Sequence, residues 1–360
     1  MFGRMMNSYY YGKSGKGDFR KEDLPKNRWQ LFWEMLRVRL SSLCRLNLMI
    51  LIAMLPMMIV FMNFVGQNLE ALNLITEYQS YATTGTVSDK FPQEAIDVIH
   101  AGYNEYIVAN PDAAEISVTD YLNIAFWADL QGHLLNALLW LIPCMLITGP
   151  VQAGMAYITR NWARDEHAFI WSDFKDAVKE NWKYGLGISA ITAVMPMIIY
   201  TCFTFYGDLT KQSAIYIVPQ MITVTLGILW MLATTFMYPI MVSYKVKFKG
   251  VLKNSMMLAI ARLPHTIAVR LAALIPALLC ILIFLLTGFI YSLLALMLYY
   301  ALFGFAFTRF IAASFTNSIF DKYVNSHIEG AKINQGIASE EDDDDEEEEI
   351  PADDAPGADA

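Results

Sequence analysis

Between Arg270 and Arg309 the chain runs for 38 residues, Leu271 to Thr308, without one charged side chain. A single straight helix of that length would extend about 57 Å at 1.5 Å per residue. A bilayer core is about 30 Å thick. Two spans joined by a tight turn near Thr287–Gly288 fit the length, at roughly 267–287 and 290–311. Four further charge-poor stretches lie at about 46–65, 134–158, 184–206 and 214–244. In lipid the backbone polar groups must be satisfied within the segment, so spans of this composition are helices. The chain is 56% apolar and only 17% charged, against about 25% charged in soluble domains. The sequence therefore predicts an all-α, polytopic transmembrane helix bundle of six spans.

Charge sets the direction of the spans. With both termini cytoplasmic, 24 of the 26 Lys and Arg fall inside or at the inner border, and only Lys90 and Lys211 fall outside. That is the positive-inside asymmetry. Five spans would put Arg309, Lys322 and Lys332 outside. The formal charge of −9 arises in the last stretch, where residues 340–360 hold 13 of the 35 acids and no base. Ten consecutive acids, Glu340–Glu349, repel one another and carry no apolar residue, so the tail is expected to be disordered from about residue 336. It reads as a solvated strip, or as a docking strip for the basic N-terminal segment or a basic partner. The first 45 residues are polar and basic, with no cleavable signal peptide. The first span then serves as an uncleaved anchor.

The resulting organisation has three parts. Residues 1–45 form a cytoplasmic basic segment with an amphipathic helix. Residues 46–315 form the six-span domain, with an extracytoplasmic insertion at 67–132. Residues 316–360 form the cytoplasmic tail. Asn27 caps a helix over 27–45, with Gln30 in a capping-box position. Trp29, Phe32, Trp33, Leu36, Leu40 and Leu43 recur at helical spacing, and Arg28, Arg37, Arg39 and Arg45 lie beside them. Trp29, Phe32, Trp33, Leu36 and Arg37 suit an interfacial helix in contact with membrane lipid headgroups. Packing against the protein's own cytoplasmic loops is the competing reading. Within the insertion, one helix is expected from Pro92 to about Val108 and another from Thr119 or Asp120 into span two.

The stretch 149–183 connects spans two and three. Gly149, Ala153, Gly154 and Ala156 permit close helix approach. Ser172 is placed to cap a short amphipathic helix, with Asp173 favourable to its dipole. Phe174, Ala177, Val178 and Trp182 share one face of it, which can lie on the membrane, pack on the bundle or dock a cytoplasmic partner. Phe174-Lys175-x-Ala177-Val178-Lys179 is matched 74 residues later by Phe248-Lys249-x-Val251-Leu252-Lys253, as in a parallel internal repeat.

The sequence shows no HExxH or GxSxG motif, and GKSGKG at 12–17 lacks the spacing of a phosphate loop. The five histidines are scattered. Asp129 and His133 share a helix face but are too few for a metal site. Cys44, Cys144, Cys202 and Cys280 form no CxxC and read as small apolar residues. No catalytic residue, cofactor or metal is assigned, and no nucleic-acid partner. No ionisable side chain falls deep in a span, because Arg270 and Arg309 sit at inner ends where they can snorkel. This argues against proton-coupled transport. Asn47, Asn63, Asn136, Gln152 and Thr223 are candidates for lining a neutral-solute path or for helix–helix hydrogen bonds.

The opening MFGRMMNSYYYGK, the LPKNRWQLFWEMLRVR helix, the GPVQAGM turn and the DFKDAVKENW helix together resemble the YesL-like family of bacterial integral membrane proteins of unknown function. The resemblance covers about 1–66 and 134–315; the insertion 67–132 and the acidic tail depart from the family's compact pattern. It implies a helical domain in the bacterial plasma membrane and a loose link to sugar import, and it transfers no site residues. The expected function is that of a non-enzymatic accessory or scaffolding component of carbohydrate uptake or sensing, with importer subunits or a membrane sensor as partners. The alternatives are a permease or transporter subunit for a neutral solute, and a receptor whose insertion binds ligand through Tyr78, Tyr81, Tyr103, Tyr106, Tyr121, Phe126 and Trp127.

Overall fold

A computed structural model describes residues 25–87, 91–113 and 116–337. The N-terminal stretch 1–24 and the acidic run from 340 onward, for which the sequence predicts a basic segment and a disordered tail, lie outside the described residues. Helices dominate, and no strand occurs among the described residues. The helices are α1 (Arg28–Thr84), α2 (Gln93–Ala109), α3 (Val118–Trp162), α4 (Ser172–Thr210), α5 (Ile217–Ser243), α6 (Phe248–Ala261), α7 (Leu263–Leu282), the short α8 (Phe284–Thr287), α9 (Phe289–Tyr299) and α10 (Phe305–Tyr323). A π-helical turn, Tyr300–Gly304, joins the last two. Among the described residues, six segments are long and apolar enough to cross a membrane: Arg28–Thr84, Val118–Trp162, Ser172–Thr210, Ala214–Ser243, Leu263–Leu282 and Phe289–His327.

Two of these helices run further than the sequence reading has them. The amphipathic stretch 27–45 and the first span are one helix of 57 residues. No Gly or Pro interrupts residues 28–55, so nothing stops propagation. The stretch 172–183 likewise continues into the third span as α4. At the other extreme, Gly288 breaks the longest apolar run with φ 92° and ψ 171°, a region open essentially to glycine alone.

The start of α1 shows how local chemistry fixes an end. Gln30 donates its backbone N–H to Asn27 Oδ1 at 2.9 Å. Gln30 Oε1 in turn accepts the Lys26 N–H at 2.8 Å, one residue before the reciprocal partner of a standard capping box. At the start of α4 the Asp173 carboxylate accepts the Phe169 N–H at 2.8 Å, so Asp173 anchors the turn next to which Ser172 was placed as cap.

The chain divides into two compact units. One comprises Met1–Met49, Ala153–Glu180 and Leu232–Ala360. It carries all of the 26 Lys and Arg except Lys90, Lys183 and Lys211. Its core holds Leu31, Met35, Leu43 and Leu46 from α1 with Trp162, Phe236, Phe310 and Phe320. Phe32 stacks on Phe310 with centroids 5.5 Å apart. Asn47 is fully buried. Its Nδ2 donates to Tyr300 O at 2.9 Å and Ala301 O at 2.8 Å, and its Oδ1 accepts the Ala306 N–H at 3.0 Å. A π turn displaces backbone groups from the regular ladder, and one carboxamide satisfies three of them.

The second unit comprises Ile50–Gln152 and Asn181–Met231. Here α3 and α4 touch backbone to backbone at Gly149 and Gly185. A Cβ on Gly149 would collide with Ser189 Oγ and Gly185 O, and would stand 2.7 Å from Ser189 Cβ. Ser189 Oγ donates to Leu146 O at 3.2 Å across the same contact. Trp230 Nε1 on α5 donates to Thr192 Oγ1 at 3.1 Å on α4. The insertion folds around its own small core of Ile75, Tyr78, Phe91, Ile96, Ile99 and Leu122.

Candidate functional site

A cleft of about 200 Å³ opens between α1 and α3 within the second unit. Asn63 and Gln67 enter from α1 four residues apart, on the helix face shared with Ile59, Val60 and Phe64; His133, Asn136 and Trp140 enter from α3 at spacings of three and four. These spacings place each group on a single face. Asn68 orients the imidazole. Its Nδ2 donates to Phe64 O at 2.6 Å, which leaves Oδ1 to face His133 Nδ1 at 3.3 Å. A carboxamide oxygen only accepts, so Nδ1 is the donor of this bond. The lining therefore offers three carboxamides, an imidazole and a Trp140 side chain that is 62% exposed. Every group is uncharged or able to be so. Such a surface can bind a neutral solute rich in hydroxyls, exchanging hydrogen bonds in both directions.

Asn63 and Asn136, singled out in the sequence, are thus brought together. Gln67 joins them and was not foreseen, although its i+4 spacing from Asn63 was visible. His133, which the sequence paired with Asp129, turns to Asn68. The remaining candidates lie elsewhere: Asn47 serves the π turn, Thr223 Oγ1 donates within its own helix to Pro219 O at 2.9 Å, and Gln152 is absent from the cleft lining.

The insertion's aromatic residues are mostly committed to one another. Tyr121 meets Tyr103 and Tyr106 at 5.8 and 5.4 Å between centroids. Tyr103 Oη donates to Ile116 O at 2.8 Å, and Tyr78 Oη meets His100 Nε2 at 3.1 Å. Burial, with Tyr81 and Tyr103 nearby, raises the Tyr78 pKa. Tyr81 and Phe126 pack on the same core. Of the seven aromatic residues proposed for ligand stacking, Trp127 is the one left largely exposed, at 61%.

The residues predicted for a docking face separate. Phe174 and Val178 press on α3 at Gly154, where a Cβ would stand 2.7 Å from the Phe174 ring and 2.8 Å from Val178 Cγ2. Ala177 is buried. These three pack on the chain's own bundle, one of the uses the sequence allowed. Trp182 stays 47% exposed, with Lys183 Nζ 5.6 Å from its ring centroid. The matched hexapeptide at Phe248 repeats this burial, with Val251 fully buried and Lys249 and Lys253 exposed. On α1, Trp29 and Trp33 are 67% and 52% exposed and Arg37 is exposed, while Phe32 and Leu36 are half-buried. The inward stripe is Leu31, Met35 and Leu43; Trp29 and Trp33 look outward, and Phe32 lies between the two and stacks on Phe310.

Polar side chains of the first unit join the start of α1 and the turn after α3 to the residues around and beyond the end of α10. Arg28 pairs with Asp321 and also donates to Asn334 Oδ1 at 2.9 Å. Arg164 donates to Lys332 O and Gln335 Oε1 at 3.2 and 3.0 Å. Asp165 adopts φ 57° in the turn after α3; burial raises its pKa, and Arg39 opposes the shift. Arg270 turns inward: Nε and Nη2 donate to Thr235 and Thr234 Oγ1, each at 2.7 Å. The Arg309 guanidinium lies 4.7 Å from the centre of the Tyr238 ring. Both arginines engage α5, where the sequence has them snorkelling. The four cysteines are free, and no cluster of metal-binding side chains occurs among the described residues.

A protein-family model described as a protein of unknown function, DUF624, matches residues 121–202. The match runs from the start of α3 through the Gly149–Gly185 contact into the last third of α4. It contains the α3 half of the cleft. No curated protein and no solved structure matches the chain.

Proposed function

We propose that this multi-pass membrane protein is a non-enzymatic accessory component of carbohydrate uptake or sensing, and that it holds a neutral, hydroxyl-rich solute in the α1–α3 cleft. The observation that carries the reading is the lining of Asn63, Gln67, His133, Asn136 and Trp140, with no carboxylate, lysine or arginine among its residues. The YesL-like resemblance supplies the link to sugar import. The resemblance implies a bacterial plasma membrane, and the placement of Lys and Arg supports an orientation with both termini inside and the cleft near the outer ends of the first two spans. The exposed aromatic residues Trp29, Trp33, Phe169 and Trp171 suit contact with lipid headgroups or with a membrane partner such as an importer subunit or a sensor.

The direct test is titration of the purified protein with mono- and disaccharides, following the fluorescence difference between wild type and Trp140→Phe. Saturable quenching that disappears in Asn63→Ala/Asn136→Ala is expected. A flat response across neutral sugars removes the reading. The same cleft serves the permease alternative. Solute flux in liposomes that Asn63→Ala/Asn136→Ala abolishes would move the assignment from accessory to permease.

A further inference from the structure

From residue 209 to residue 320 the chain contains no Asp or Glu and eight Lys and Arg. Lys245, Lys247, Lys249 and Lys253 crowd around the start of α6, and all four are exposed. No acid occupies the first turn of α6, so its backbone N–H groups add to the positive potential there. Immediately before this surface, Tyr244 Oη donates to Asn325 Oδ1 at 2.8 Å. Asn325 Nδ2 donates to Asp321 Oδ1 at 2.5 Å, and Asp321 Oδ2 accepts the Asn334 N–H at 3.1 Å. Three hydrogen bonds thus connect the residue that precedes the lysines to the segment from which the C-terminal tail departs. Glu340 follows Asn334 by six residues, a reach of about 20 Å when extended.

We propose that the acidic run Glu340–Glu349 docks in cis on the surface formed by Lys245, Lys247, Lys249 and Lys253. Single exposed Lys–Glu pairs are weak. Here the tether holds the acids at an effective concentration in the millimolar range, and ten consecutive carboxylates offer many equivalent registers. The pairing is diffuse and sensitive to salt. While it lasts, the lysines are withheld from the phosphates of anionic lipids.

The experiment is carbodiimide coupling of the full-length chain, which joins only carboxylates and amines in contact, followed by peptide mass spectrometry. It is done in phosphatidylcholine nanodiscs with and without phosphatidylglycerol. The Lys211–Asp208 pair, at 2.8 Å, reports that the reagent has worked. Links from Lys245, Lys247, Lys249 or Lys253 to residues 340–349 are expected in the monomer band. They should be independent of protein concentration and fall roughly fivefold in about 1 M salt, where the Debye length is about 3 Å. Deleting residues 338–360 should raise the acetylation rate of the same lysines. Tail links to Lys13, Lys16 or Lys21 instead, links confined to dimers, or no tail links beside a strong Lys211–Asp208 signal overturn the proposal. Loss of the links when phosphatidylglycerol is added assigns the lysines to lipid and overturns it equally.

Discussion

Asp165 combines two demands that ordinary side chains meet poorly. It adopts a left-handed backbone, and its carboxyl is desolvated by its neighbours although the residue as a whole is exposed. Burial raises its folded-state pKa, so the folded chain holds this proton more tightly than the unfolded one. Stability therefore falls as pH rises from the ordinary carboxylate value through the folded value. Asp165→Asn keeps a residue that tolerates the left-handed region and removes the charge. The midpoint of thermal unfolding should rise at neutral pH and lose that part of its pH dependence. Asp165→Ala should cost about 1 kcal/mol through backbone strain. If the pH profiles of wild type and Asp165→Asn superimpose, the carboxyl is not responsible. Asn47 is the opposite case, a polar group whose partners are complete. Asn47→Leu leaves the π-turn groups without them and should cost about 2–3 kcal/mol, read as a lower midpoint in detergent.

Among the helices, the contact of α3 with α4 is the most sensitive to side-chain volume. Gly149→Ala forces the two apart against Ser189 and Gly185 and should destabilise by about 1–3 kcal/mol. Gly66→Ala, with nothing within 4 Å of the new methyl, should be neutral or mildly stabilising by helix propensity. Equal effects of the two would remove close packing as the cause. Much of this level was legible beforehand. Hydropathy located the spans, Gly288 marked the break, and the small residues near Gly149 announced a close approach. The inward face of α1 was not legible. Trp29, Phe32 and Trp33 form the more conspicuous stripe, yet Leu31 and Met35 are the residues buried. In a membrane the outside is as apolar as the inside, so periodicity identifies a face without saying which way it looks. The cleft was half legible for a related reason. Asn63 and Asn136 were individually visible, but their meeting depends on the register of α1 against α3, which packing sets.

At the scale of the molecule, the six apolar segments and the skewed placement of Lys and Arg make one prediction. With the four native cysteines changed to Ser, a membrane-impermeant maleimide on intact cells should label Lys211→Cys and not Lys249→Cys. After permeabilisation both should react. Labelling of Lys249→Cys alone on intact cells would invert the topology, and would place the cleft near the inner surface.

The Asn47 contact also has a consequence for biosynthesis. Its partners at Tyr300 lie 253 residues further along the chain. At about 5–20 residues per second, the ribosome needs roughly 13–50 s to make them after Asn47 has been added to the chain. Throughout that interval the first span holds a carboxamide whose final acceptors do not yet exist. The nascent protein is therefore exposed to membrane quality control until its last span has docked, and chains truncated before residue 300 should be short-lived even when every earlier span has inserted.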